Sequence, residues 1–338
     1  MKTVQELEAK LAKPSEALIN DMANLEGDIM LLGIGGKMGP SLARLAMNAI
    51  KEAGVDKKVY GASRFSSGGL REELEGDGVK TFAVDLLDDE QLRGLPDVKN
   101  IIYMAGNKFG TTGNEHFTWA MNSYLPGRVA EKYRDSRIVV FSTGNVYPIT
   151  PVHQGGATES TPPASVGEYG QSSLGRERVF TYFSHKYNIP MAIYRLNYAI
   201  DMRYGVLLEI AKSVKSGKPI DITMGHANVI WQGDANEIAI RCLNHCSTPP
   251  AVFNVTGPET LSLRWVANEF GSRLGMEPIF EGSESDTALL SNSSKASRTF
   301  GYPKVSVLQM IDWIAEWVEA DGHTWNKPTH FQEREGKF

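Results

Sequence analysis

Chemistry first suggests itself in this 338-residue sequence at the glycine run Gly33-Ile34-Gly35-Gly36-Lys37-Met38-Gly39. Gly33, Gly36 and Gly39 follow a Gly-x-x-Gly-x-x-Gly spacing, between an apolar run and Pro40–Ala46, which reads as a helix. Missing side chains let a backbone turn sharply and approach a pyrophosphate, whose charge then meets free amides at the helix start. A tight turn alone would also use glycines; the strand-to-helix setting favours the phosphate reading. Gly33, Gly36, Lys37, Met38 and Gly39 are therefore candidate dinucleotide contacts. The next strand candidate ends in Ser63-Arg64 where an acid would grip the ribose hydroxyls of NAD. Ser and Arg accept a ribose phosphate instead, which favours NADP over NAD. Asp85 and Leu86 would flank the adenine, and Ala105-Gly106 would pass beneath the cofactor.

Such a loop needs a sheet to hold it. From Asp28 onward short apolar runs alternate with amphipathic helices, with strand candidates at Ile29–Leu32, Val59–Gly61, Thr81–Val84, Ile101–Met104, Ile138–Phe141 and Met191–Tyr194. That alternation predicts an α/β fold, a Rossmann-type doubly wound parallel sheet. After Arg195 the pattern loosens into helix Val206–Ser216, an extended stretch Ile220–Ile230, helix Ala235–His245, strand Val252–Val255 and further helices, with Glu281–Ser294 as a loop. The expected division is a helical extension over residues 1–27, broken at Pro14; a dinucleotide domain over 28–200, to which part of 230–260 returns; a smaller, discontinuous α+β substrate lobe over 201–330; and a tail over 331–338.

The net charge of −5, from 35 Lys and Arg against 40 Asp and Glu, argues against a nucleic-acid partner. The two cysteines, Cys242 and Cys246, sit four apart around His245, too few and too close for a disulfide framework or a four-ligand zinc site, so no metal is expected. No apolar run approaches the ~18 residues of a membrane span, and Met1 to Ile19 lacks a signal peptide's apolar core. A cytoplasmic protein with a small-molecule substrate is the expectation, and a homodimer is compatible with it.

Further along stand Ser142-Thr143-Gly144-Asn145-Val146-Tyr147, Glu159, Tyr169-Gly170-Gln171-Ser172, Arg195-Leu196-Asn197, Gly233-Asp234-Ala235, Phe253-Asn254-Val255 and Ser294-Lys295-Ala296. With the glycine run, these resemble the extended short-chain dehydrogenase/reductase family of NAD-dependent epimerases, dehydratases and reductases, from Asp28 to Val318. The resemblance implies that Thr143 polarises a substrate oxygen and that Tyr169 transfers its proton. It also implies that a Lys four residues after the Tyr holds the nicotinamide ribose and lowers the Tyr pKa. That position is Ser173. A phenol ionises near ~10 and is a poor base at neutral pH without a nearby cation. Three readings follow: Lys108, beyond the fourth strand, or Arg176, a turn along and directed outward, replaces the cation; Tyr169 acts only as a hydrogen-bond donor; or the protein is a sensor that binds dinucleotide without turnover. Asn122 and Ser142 resemble family cofactor contacts, and Phe109, Asn145, Asn197 and Trp231 are candidate substrate contacts. Trp119 is expected in the core.

In members that act on nucleotide-diphosphate sugars, second-lobe arginines hold the diphosphate. Here Ala227 stands where the first should be, and the region of the second, residues 281–286, is acidic. The expected reaction is thus an NAD(P)-dependent oxidation or epimerisation of a carbohydrate-like alcohol or ketone without a nucleotide, with a nucleotide-sugar epimerase or dehydratase as the alternative.

Overall fold

The protein is described from a computed structural model covering residues 1–66, 68–108, 110 and 113–336. Seven strands form one parallel sheet: β1 (Ile29–Leu32), β2 (Val59–Ser63), β3 (Lys80–Ala83), β4 (Asn100–Tyr103), β5 (Arg137–Thr143), β6 (Met191–Leu196) and β7 (Ala251–Val255). Their spatial order is β7-β6-β5-β4-β1-β2-β3, so the direction of winding reverses between β1 and β4. Ligands of doubly wound sheets bind outside the carboxyl ends of the strands at that reversal. All four residues of β1 are buried, as in a sheet covered on both faces. Ile29 and Leu31 point into one core with Leu42, Ala46 and Tyr194, while Met30 and Leu32 point into another with Tyr103, Val129 and Phe180.

The sequence located these strands to within one or two residues at each end; β5 starts at Arg137 and continues through Ser142 and Thr143. Val252–Val255, extended by Ala251, is the outermost strand beside β6. The segment expected as a loop over Glu281–Ser294 is more ordered than that. Glu281 pairs with Asp221, and Thr287–Ala288 pairs antiparallel with Thr150–Pro151, so this stretch joins the segment around Asp221 to the loop that follows β5.

A third core gathers Val206, Ile210, Trp231, Val266, Phe270, Ile311 and Trp317. The amino-terminal helices, α1 (Val4–Leu11) and α2 (Glu16–Asn24), do not form a separate appendage. Leu7 and Leu11 enter this third core, whereas Leu18 and Met22 enter that of the sheet. Glu8 adds a polar link, receiving Arg44 at 3.0 Å and Arg203 at 2.5 Å. Burying two apolar side chains on each side at about 1.5–3 kcal/mol apiece makes these helices a staple between the lobes. The tail is likewise anchored by the buried Phe331. Among the described residues no helix is long and apolar enough to cross a membrane.

Candidate active site

The glycine loop joins β1 to α3 (Gly39–Ala53). Gly33 takes φ +95°, and a Cβ there would stand 2.6 Å from the amide nitrogen of Ala105, so only glycine fits. A Cβ on Gly39 would strike the carbonyl of Ile34. Helix α3 has Met38 at its N-cap and no side-chain cap hydrogen bond. Its first amides are therefore open to an anion, with the positive end of the helix dipole behind them. A pocket of about 220 Å³ opens beside this loop, lined by Gly33, Gly36, Ser63, Arg64, Asp85 and Leu86, and by Ala105 and Gly106 on its far side. Its lining of glycine-loop backbone with the Ser63 and Arg64 side chains offers donors of the kind that the adenosine and pyrophosphate part of a dinucleotide needs.

Two of the candidate cofactor contacts are engaged otherwise. The Asn122 amide, held in a π-helical turn (Ala120–Tyr124), accepts from the Asn107 amide (2.8 Å) and Arg176 Nη2 (2.6 Å). It donates to the Asn107 carbonyl and to Ser172 Oγ, both at 2.9 Å, so it is a buried clip and not a ligand contact. Ser142 turns its hydroxyl to Glu177 Oε1 at 2.5 Å, away from the cleft, because Glu177 is buried with Arg195 behind β5 and needs donors. Lys37 leans off the loop and rests its ammonium 3.2 Å from the centre of the Tyr204 ring in the second lobe.

Tyr169 sits two residues into the helix Gly167–Tyr187. Thr143, at the end of β5, is buried, and its Oγ1 donates to Asn145 Oδ1 at 3.0 Å. Lys108 is half-buried with its Nζ 5.7 Å from the Tyr169 ring centre. The Asn122 clip fixes the backbone of neighbouring Asn107, whose own amide donates to Thr118 Oγ1 at 3.0 Å, so Lys108 projects from an anchored segment. Burial, opposed by Glu209, pushes the Lys108 ammonium down to about 8. Arg176 does not face outward as its spacing suggested. It is buried, donates to the Phe141 carbonyl at 2.8 Å and to Asn122, and lies against Gly106. Ser173 is fully buried, with a hydroxyl lacking a partner.

Asn197 is buried beside Gly144 and donates to the Leu289 carbonyl at 3.5 Å, closing the floor of the cleft. Trp231 is not a substrate contact. It is 2% exposed and packs edge-on to Trp313 at 5.4 Å in the third core, where its apolar bulk belongs. Trp119, expected in the core, is 39% exposed and donates to Glu168 at 2.5 Å, next to Tyr169. Phe109 lies outside the described residues. Burial raises the thiols of Cys242 and Cys246, and the Cys246 thiol is directed at the backbone carbonyls of Ile138 and Cys242. Among the described residues no set of three His, Cys, Asp or Glu could hold a metal ion.

Sequence reasoning missed Tyr204, Glu209 and Lys327. Glu209 accepts the amide of Thr329 at 2.5 Å, and burial raises its carboxyl, while Thr329, Lys108 and Lys37 oppose that rise. Nothing in the local pattern marks these residues, because the fold brings them to Lys37 from about 170 or more positions away.

The chain belongs to the NAD dependent epimerase/dehydratase family, whose model matches residues 29–255. It is thus an enzyme of the extended short-chain dehydrogenase/reductase kind, built to work with a nicotinamide dinucleotide. No curated protein sequence matches it significantly. Among solved structures it resembles the UDP-glucose 4-epimerase of Thermotoga maritima, at 15% identity and TM-score 0.69 over 87% of this chain and 99% of that one. It also resembles the UDP-glucuronic acid 4-epimerase of Bacillus cereus, at 18% identity and TM-score 0.70 over 86% and 98% of the two chains. The UDP-glucose 4-epimerase of Thermus thermophilus is similar at 18% identity and TM-score 0.68, again over 86% and 98%.

Proposed function

We propose that this chain interconverts an alcohol and a ketone at a carbohydrate carbon, as an epimerase or dehydratase, with Thr143 and Tyr169 on the substrate oxygen and Lys108 as their cation. The observation that carries this reading is the Lys108 ammonium over the Tyr169 ring, supplied from β4 where the Tyr169 helix offers only Ser173. A bound nicotinamide would take up and return the hydride. The residues present would hold the oxygen, stabilise its developing charge and move its proton.

For the substrate, a sugar bearing a nucleotide diphosphate has better support than the unphosphorylated sugar expected from sequence. Proteins that share the fold almost end to end are described as UDP-sugar 4-epimerases. The sequence argument against phosphate also weakens. Ala227 is indeed buried in a two-residue strand, but the Glu284 carboxylate is taken by Arg264 at 2.7 Å, which offsets part of the acidity of residues 281–286. One observation favours the unphosphorylated reading. Arg334 bonds Thr287 and touches Met224 Sδ at 3.6 Å, laying the tail across that side of the lobe.

The test is incubation with NAD or NADP and, in turn, UDP-glucose, UDP-glucuronate, glucose and glucuronate, read by NMR for a new epimer and at 340 nm for reduced cofactor. Conversion of a UDP-sugar is expected. Conversion of free sugars alone would establish the second reading, and no reaction with retained dinucleotide binding would leave a sensor. For the cofactor, Arg64 at the pocket rim supports NADP. Arg64→Ala is expected to weaken NADPH about tenfold and NADH less than about twofold in fluorescence titrations. Equal effects on both would remove the preference.

A further inference from the structure

Beyond the helix Val307–Glu319 the chain returns over the second lobe as irregular backbone, and Arg334 and Gly336 reach elements of the candidate active site. The anchors follow one another along the chain. The Thr329 amide donates to Glu209 at 2.5 Å, and Phe331 is buried in the third core. Arg334 then forks onto the Thr287–Ala288 strand, its Nη1 donating to the Thr287 carbonyl at 2.9 Å and its Nη2 to the Thr287 hydroxyl at 2.6 Å. That strand is paired with Thr150–Pro151, which follows Thr143 in the chain, and the next residue, Leu289, accepts Asn197 at 3.5 Å. Gly336 lies against Val166 and Gly167, where the helix that carries Tyr169 starts. Residues 332–336 are Gln-Glu-Arg-Glu-Gly, none of them apolar, so these contacts add little hydrophobic stabilisation to what Phe331 already supplies.

What they serve is the helix start. Val166, at its N-cap, makes no side-chain capping bond, and a glycine as first helical residue constrains the backbone weakly, so the position of Tyr169 depends on what packs against this turn. One close backbone contact comes from within the site: a Cβ on Gly170 would stand 2.8 Å from the carbonyl oxygen of Asn145, in the turn after Thr143. Another comes from the tail, where a Cβ on Gly167 would strike the Gly336 carbonyl. This contact is reciprocal. Gly167 and Gly336 take φ +74° and +76°, and a Cβ on Gly336 would stand 2.5 Å from the Val166 carbonyl oxygen. Two backbones meet there without a side chain between them, which only glycine permits at either position. We propose that residues 332–336 form a strap that positions Tyr169, fastened at Arg334 to the strand beside Asn197 and seated at Gly336 on the first turn of the Tyr169 helix. Arg334 and Gly336 act through those contacts as positioning residues for the reaction. The strap couples the second lobe, where it is rooted at Phe331, to the turn that sets the phenol, and it rests on the reading of Tyr169 given above.

The experiment uses the full-length chain carrying Gly336→Val, Arg334→Ala or Arg334→Lys, and a chain lacking residues 333–338, which keeps Phe331. Each is saturated with NADH and compared with wild type by hydrogen exchange over residues 163–172, by calorimetric Tm, and by kcat and KM with UDP-glucose. Exchange over residues 167–172 is expected to rise at least about tenfold in Gly336→Val, Arg334→Ala and the deletion, while β1 and β4 exchange as in wild type and Tm stays within about 3 °C. In the same variants kcat should fall about tenfold or more with KM and NADH affinity within about twofold, since a misplacement of about 1 Å costs up to about 10²-fold in rate. Arg334→Lys, which keeps the charge and one of the two bonds, should lie between. Unchanged exchange over residues 167–172 in Gly336→Val and in the deletion overturns the proposal. So does exchange raised throughout the chain with Tm lowered by more than about 5 °C, which would make the tail part of the general fold. A kinetic change confined to KM also overturns it, making the tail a wall of the substrate pocket. Failure of wild type to convert UDP-glucose would count against the functional reading alone, because exchange over residues 167–172 still decides whether the strap holds the Tyr169 turn.

Discussion

Lys108→Met is expected to lower kcat by about 10²–10⁴-fold while leaving dinucleotide affinity within about twofold, since positioned proton transfer contributes that much and the adenosine pocket lies apart from Lys108. The sign of the pH dependence follows from the lysine. Its ammonium is present below about 8 and lost above it, so a cation required beside Tyr169 gives wild-type kcat/KM a limb that falls as pH rises through about 8. Lys108→Arg keeps the charge at all accessible pH and should shift that limb upward while retaining part of the activity. A Lys108→Met enzyme with full turnover, or a wild-type profile whose basic limb is unmoved in Lys108→Arg, would return the proton to Tyr169 alone or to water.

That expectation combines what was legible in the sequence with what was not. The glycine loop was legible because Gly33 and Gly39 are demanded by backbone contacts within one strand-turn-helix unit, where spacing in sequence is distance in space. Lys108 was legible as a residue of the loop just beyond β4, since the loops after parallel strands converge on the cleft. Its nearness to Tyr169 needed the Asn122 clip, which joins positions 15 apart, and a π-helical turn that no periodicity marks. Arg176 was misjudged because helical spacing alone does not tell which neighbours cover a face; the helix Gly167–Tyr187 lies against β5 and turns that arginine inward. Trp231 failed as a pocket residue for the same reason, its partner Trp313 lying 82 positions later in the chain. The Lys37–Tyr204 contact joins two lobes whose relative placement is fixed by long-range packing, including the α1 and α2 staple, and so left no local trace.

The largest stability effect is expected at Glu177→Gln. Glu177 and Arg195 are 4% and 6% exposed and face each other at 2.6 Å behind β5. Arg195 also donates to the Tyr147 hydroxyl at 2.5 Å, lies 4.8 Å over its ring, and through it reaches Asn254 at 2.8 Å; Glu177 additionally accepts from Ser142. Burial alone would lower the ionisation of the Arg195 guanidinium, and the Glu177 carboxylate outweighs it, holding the guanidinium above its ordinary value. Glutamine matches the volume but removes the counter-charge, and stranding one member of a buried pair costs about 3–5 kcal/mol. At roughly 2–4 °C per kcal/mol, the figure for chains of about 150–250 residues, the calorimetric Tm should fall by about 6–20 °C at most. Removing both charges together, in Glu177→Met with Arg195→Met, should recover part of that loss, because the cost arises from the unpaired ion more than from the missing attraction. A Tm within about 2 °C of wild type for Glu177→Gln would mean that the pair is hydrated in solution. A double variant worse than the sum of its singles would assign the stability to the Tyr147–Asn254 chain instead. Because Ser142 precedes Thr143 on the same strand, the same variant should also loosen the Thr143 hydroxyl, and if that hydroxyl holds the substrate oxygen as proposed, kcat at temperatures well below Tm should fall by more than dinucleotide affinity.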